Sequence, residues 1–127
     1  MSERIQWIEY KGKRILFVDY SKLREEEPYL KAIEEMEAEV LKQPKGTIIL
    51  TLIDFTGSIA TTAITERSKK MTAAAKAAGI PDSPTVLVGI AGFKKSIVQA
   101  MQFFRPDIHL ADSVEAAKDW LVKQVDK

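Results

Sequence analysis

The spacing of apolar positions divides this chain into nine segments. Ile5 to Tyr10 and Arg14 to Tyr20 are short β-rich runs separated by Lys11-Gly12-Lys13, which predicts an antiparallel hairpin with glycine in the turn. After Ser21 the composition turns acidic, and Glu25, Glu26, Glu27 and Pro28 suit the first turn of a helix, where the dipole favours carboxylates and proline's fixed φ is tolerated. Tyr29, Ile33, Met36 and Val40, with Leu30 and Leu41 alongside, repeat at helical spacing up to Pro44. Thr47 to Ile53 is an almost unbroken β-branched and aliphatic run, as expected of a central strand covered on both faces.

The second half continues the alternation. From Thr61 to Ala78 the pattern is helical, with Ile64, Ser68, Met71, Ala75 and Ala78 on one stripe, Gly79 as the expected C-terminal cap and Pro81 beyond it. Small side chains make this stripe weak. Thr85 to Ile90 reads as another buried strand, after which Gly92 leads into Phe93, Ile97, Ala100, Met101 and Phe104 at helical spacing, stopped by Pro106. Ile108 to Leu110 predicts a short strand. Asp112 with Glu115 three residues on predicts a capping box for a last helix with Val114, Ala117, Leu121 and Val125 inward.

The expected order is therefore β-β-α-β-α-β-α-β-α over 127 residues, uninterrupted by any linker, repeat or low-complexity segment. Each later strand is followed by a helix long enough for a right-handed crossover, so those strands should be parallel, with the hairpin supplying an antiparallel edge. The fold class is α/β: one domain spanning 1–127, a mostly parallel central sheet with helices packed on it.

Composition then removes function classes. Nineteen Lys+Arg against eighteen Asp+Glu leave a net charge of +1, so no global field draws in nucleic acid. The absence of cysteine excludes disulfides, thiolate metal sites and thiol catalysis, and agrees with a reducing compartment. Met1-Ser2-Glu3-Arg4 lacks the apolar core of a signal peptide, and no apolar run reaches membrane-spanning length. A cytoplasmic protein with no membrane span and no nucleic-acid partner is expected, with homodimerisation left open.

Catalytic inventories fall short as well. His109 is the only histidine, which leaves no His pair for zinc and reads most simply as a strand residue with its polar edge in water. Asp19 and Asp54 lie near strand ends, but the later strands end Ile90-Ala91-Gly92 and Leu110-Ala111-Asp112, without the hydroxyl and lysine that phosphoryl transfer requires. Trp7 and Trp120 sit in apolar patterns that packing explains. No enzyme activity, cofactor or metal is expected.

Binding chemistry gathers instead where the central strand hands over to a helix. Ligands of parallel sheets collect at the carboxyl ends of strands, beside the free N–H groups of helix N-termini. There Leu52-Ile53-Asp54-Phe55-Thr56-Gly57-Ser58 supplies Asp54, Thr56, Gly57 and Ser58, followed by Thr61 and Thr62, as a candidate loop for a protein partner or small anionic ligand; capping of turn and helix is the competing role for these hydroxyls. A second candidate for anions, Gly92, Lys94 and Lys95, lies in a segment without the residue order of a P-loop. Arg67, Lys69, Lys70 and Lys76 give the second helix a cationic outer side. The small residues Ala60, Ala63, Ala74 and Ala75 leave room for a lipid-like molecule between helix and sheet, which makes an apolar-ligand carrier the alternative to the loop-binding module.

The element order, together with Tyr10-Lys11-Gly12-Lys13-Arg14-Ile15-Leu16, Leu52-Ile53-Asp54-Phe55-Thr56-Gly57, Val88-Gly89-Ile90-Ala91-Gly92-Phe93-Lys94-Lys95 and Ala111-Asp112-Ser113-Val114-Glu115-Ala116-Ala117-Lys118-Asp119-Trp120-Leu121, resembles the STAS superfamily of anti-sigma factor antagonists and sulfate-transporter domains. It is most similar to small stand-alone STAS-like proteins with features of the CRAL-TRIO lipid-binding domains. The resemblance implies a non-enzymatic regulatory module, phosphorylated in the antagonists on a hydroxyl of an Asp-Ser-Ser-Gly-Leu-like segment. That segment can be set on Asp54-Phe55-Thr56-Gly57, making Thr56 the matching hydroxyl, or on Thr61-Thr62-Ala63-Ile64, where the aspartate is missing.

Overall fold

The computed structural model describes residues 4–59, 61–90, 98–99 and 108–124. Its strands are β1 (Ile5–Tyr10), β2 (Lys13–Asp19), β3 (Leu50–Asp54), β4 (Thr85–Val88) and β5 (His109–Ala111), joined in one sheet in the order β1-β2-β3-β4-β5. β1 runs antiparallel to β2, and every other pair is parallel. The three helices among the described residues are α1 (Glu26–Leu41), α2 (Thr62–Ala77) and α3 (Val114–Lys123). This is an α/β arrangement with a mixed sheet. Val98 and Gln99 are helical; the rest of the helix expected between Phe93 and Phe104, with Gly92, Lys94 and Lys95, lies outside the described residues.

Pleating sends alternate side chains of each strand to opposite faces. Leu16 and Val18 of β2, Ile53 of β3 and Leu87 of β4 pack with Tyr29, Ile33, Met36 and Val40 of α1 and Ile64 of α2. Ile15, Leu50, Leu52, Val86 and Val88 meet Ala117, Leu121 and Val122 of α3 on the other face. β3 occupies the middle of the sheet with Leu52 fully buried, as its continuous apolar run predicts, and β1 forms an edge. The hairpin turns on Lys11 and Gly12, both at positive φ (50° and 80°), the combination that matches strand twist in a two-residue turn. One polar clasp ties α1 to β1: the Trp7 indole donates to the buried Glu39 carboxylate at 2.7 Å, while the Arg14 guanidinium lies 4.1 Å from the Trp7 ring centre.

Several boundaries differ from the sequence expectation: β2 covers Lys13–Asp19 in place of Arg14 to Tyr20, and β4 stops at Val88 in place of Ile90, with Gly89 at φ +80° just beyond it. The β3 strand starts at Leu50, not Thr47, because the chain first turns through Pro44 to Thr47 with Gly46 at φ +85°, and Ile48 is exposed. Ile49 then finds the Ser83 hydroxyl as its N–H acceptor, and β4 pairing begins only with Thr51 opposite Thr85. The last strand is shifted by one residue to His109–Ala111. The N-cap of α3 is Ser113, whose hydroxyl accepts from the Ala116 N–H at 3.1 Å, so the capping box expected at Asp112 is not formed.

Candidate functional site

The carboxyl ends of β2 and β3 are built alike. Asp19-Tyr20-Ser21-Lys22 and Asp54-Phe55-Thr56-Gly57 lie side by side, with Asp19 and Asp54 in direct register. Each aspartate accepts hydrogen bonds from the N–H and hydroxyl two residues on: Ser21 at 2.9 and 2.5 Å for Asp19, Thr56 at 2.9 and 2.6 Å for Asp54. A residue at positive φ then closes each turn, Lys22 at 60° and Gly57 at 72°. Main-chain bonds lace the pair together, from Tyr20 N–H to Asp54 O, Lys22 N–H to Thr56 O and Ile59 N–H to Leu23 O. Between the polar positions, Tyr20 and Phe55 turn into the core with ring centres 5.7 Å apart.

The sequence-selected loop residues are thus brought together at one sheet end, and most of their hydroxyls already have structural work. Thr56 is exposed, yet its hydroxyl donates to Asp54. Ser58 donates to the Phe55 carbonyl at 2.7 Å, and Thr61 is the N-cap of α2, accepting from the Ile64 N–H at 3.2 Å. Gly57 carries the positive φ and accepts from the Arg24 guanidinium at 3.3 Å, while Thr62 is the exposed first residue of α2. Sequence reasoning passed over Gly89: at φ +80° it lies against Thr56, and a Cβ there would run into the Thr56 hydroxyl and backbone. Asp19 and Asp54 therefore cap turns. Among the described residues no three His, Cys, Asp or Glu converge as a metal site would require. His109 stacks flat on the Trp120 ring, 4.4 Å between centres.

Behind this loop lies a cavity of about 180 Å³ between α1, α2 and the sheet. Tyr20 and Phe55 close the end below the paired turns, Ile53 and Leu87 form the sheet wall, Met36 and Val40 the α1 wall, and Ile64, Met71 and Ala75 the α2 wall. Its presence follows from the weak stripe of α2. Only Ile64 of that helix is fully buried, and Ser68 and Ala75 present small side chains to the space. Of the four alanines expected to leave space, Ala75 lines the cavity, Ala63 is exposed, Ala74 is half-buried without lining it, and Ala60 lies outside the described residues. Ala78, expected on the inner stripe, is exposed because the helix has ended.

The wall carries no charge. Burial pushes the Tyr20 phenol well above its ordinary value and raises that of Tyr29, whose hydroxyl shares a hydrogen bond with Ser58. Tyr20 donates to the Met36 sulfur at 3.3 Å, and the Thr51 and Thr85 hydroxyls donate to the Ile49 and Ser83 carbonyls. Among the described residues no buried side-chain polar atom lacks a partner, so the cavity presents satisfied, neutral surface. Charge appears only at the rim, where Lys69 pairs with Glu66 at 3.5 Å and Lys76 with Asp82 at 3.4 Å.

No protein-family model matches this chain, and neither a curated protein nor a solved structure does.

Proposed function

We propose that this protein is a non-enzymatic binding module that holds a small apolar ligand between α1, α2 and the sheet. The observation that supports this reading is the cavity of about 180 Å³ with an uncharged, largely hydrocarbon wall. A cavity of roughly 150 Å³ lined by aliphatic and aromatic groups stays dry and admits benzene. The space therefore suits a ligand of about six carbons rather than a membrane lipid. Burying six methylene-sized groups at ~0.8 kcal/mol each gives roughly 5 kcal/mol, or a Kd on the order of a millimolar or somewhat tighter. The direct test is an NMR titration with 1-hexanol. Saturable shifts of the Ile53, Ile64 and Leu87 methyl groups are expected; shifts that are absent, or spread over the α3 face, refute the reading.

A second reading has its own support. The paired turns form a rigid platform that exposes Thr56 and Gly57, which suits a protein partner, and the STAS-like element order is compatible with regulation there. A phosphoryl group on Thr56 would replace the hydrogen that Asp54 accepts with negative charge and force the turn open. Affinity capture with wild type and Thr56→Ala, both folded by thermal melt, tests this: identical partners on both remove it.

A further inference from the structure

The cavity-facing side of α2 carries two parallel stripes. Ile64, Ser68, Met71 and Ala75 form one; Thr65, Lys69, Thr72 and Lys76 form the other, each displaced by one residue, and all eight line the same space. The helix runs from the closed end at Phe55 towards Ile80 and Asp82, so its lysines lie along the rim and away from the aromatic stop. Two ammonium groups stand at this rim, Lys69 and Lys76, each beside its own carboxylate, Glu66 and Asp82. Their ion pairs with Glu66 and Asp82 are long and exposed, with side-chain accessibilities of 40% to 60%, and such pairs exchange partners at little cost. A neutral tail space opening onto two exchangeable lysine ion pairs can take an amphiphile whose one negative head replaces Glu66 or Asp82 as the lysines' partner.

We propose, resting on the cavity reading above, that the ligand class is a short-chain monocarboxylate of about six carbons, its tail against Tyr20 and Phe55 and its carboxylate at Lys76 and Lys69. The lysines act as mobile point charges, which favours a compact carboxylate over a planar head needing a two-pronged donor. Ser68 and Thr72 line the same stretch of wall, and the Thr72 hydroxyl already donates to the Ser68 carbonyl, which leaves the lysines as the donors for the head group.

The experiment compares hexanoate with 1-hexanol, which share a tail and differ in the head, by titration of the full chain at neutral pH. Hexanoate is expected to bind at least about fivefold more tightly, and Lys69→Gln/Lys76→Gln to abolish that preference while leaving hexanol affinity unchanged. Raising salt from about 20 to 500 mM should weaken hexanoate alone, a measurement on wild type that stands even if the double variant unfolds. Equal affinities, or tighter hexanol, overturn the carboxylate assignment and leave the cavity reading intact. Failure of both ligands to bind overturns both.

Discussion

Replacing Ala75 with leucine should make the protein more stable and empty it of ligand. Ala75 is half-buried on α2, packed against the core and facing the cavity. Leucine adds three carbons, which would contribute about 2.4 kcal/mol at ~0.8 kcal/mol each if wholly removed from water. Because the site is half-open, about half of that should be retained, giving roughly 1–1.5 kcal/mol. For a chain of this length that raises Tm by about 4–6 °C. The ordinary result of enlarging a packed core residue is the reverse, a loss of about 1–3 kcal/mol. Ala32→Leu supplies that contrast, since Ala32 is 2% exposed on α1 and does not line the cavity. Thermal melts of the three proteins, with and without 1-hexanol, give the comparison. Ala75→Leu should melt higher than wild type and lose the ligand-induced increase, and Ala32→Leu should melt lower. If Ala75→Leu melts below wild type, or still responds to hexanol, the cavity is not the space described above.

Three further outcomes are expected. Glu39 is held below the ordinary glutamate range by the Trp7 indole and then Lys42, against a raising effect of burial; its stabilisation should be complete above the unfolded-state pKa and fall away as acid titrates through the lowered value, and Glu39→Gln should flatten that part of a stability-against-pH curve from urea unfolding. Gly89→Ala should cost at least about 2 kcal/mol, combining left-handed strain with collision against Thr56, whereas Gly57→Ala, whose added Cβ meets only ordinary contacts to Lys22, should cost about 1 kcal/mol; chemical denaturation distinguishes them. Ser113→Ala should cost about 1 kcal/mol through the lost N-cap and Asp112→Ala close to nothing, an ordering that reverses if Asp112 caps the helix in solution.

The elements were legible where one physical effect dominates. The apolar run at β3 marks a strand covered on both faces, and Leu50, Leu52 and Ile53 within it are buried; the Tyr29, Ile33, Met36, Val40 spacing marks one side of a helix, and all four are buried. Ends were harder. Thr47 and Ile48 have strand-forming side chains, yet a strand needs a neighbour, and β4 pairing starts only at Thr85. Asp112 and Ser113 are both competent caps, and sequence cannot tell which adopts the extended φ of −151°. The loop at 54–62 was found because Asp, Gly and hydroxyls are visible after an apolar run. The cavity was visible only as a shortage, small residues on α2 opposite large ones on α1. Tyr20 and Tyr29 carried no signal separating a cavity wall from ordinary core, and the tie between Gly89 and Thr56 links residues distant in sequence.

The twinned turns at the ends of β2 and β3 decide what kind of gauge the cavity is. Tyr20 and Phe55 stand on two copies of the same aspartate-anchored turn, cross-bonded through the main chain, so that end is a fixed stop. The α2 flank buries only Ile64 fully, so it is lined by smaller groups than the aromatic end, and the Arg67–Glu37 ion pair at 2.8 Å ties it to α1. A chamber with a fixed aromatic end and a flank of small side chains sorts its contents by length before breadth. Across a homologous series of straight-chain ligands, affinity should climb with each added carbon and then stop climbing abruptly, while branching should matter little.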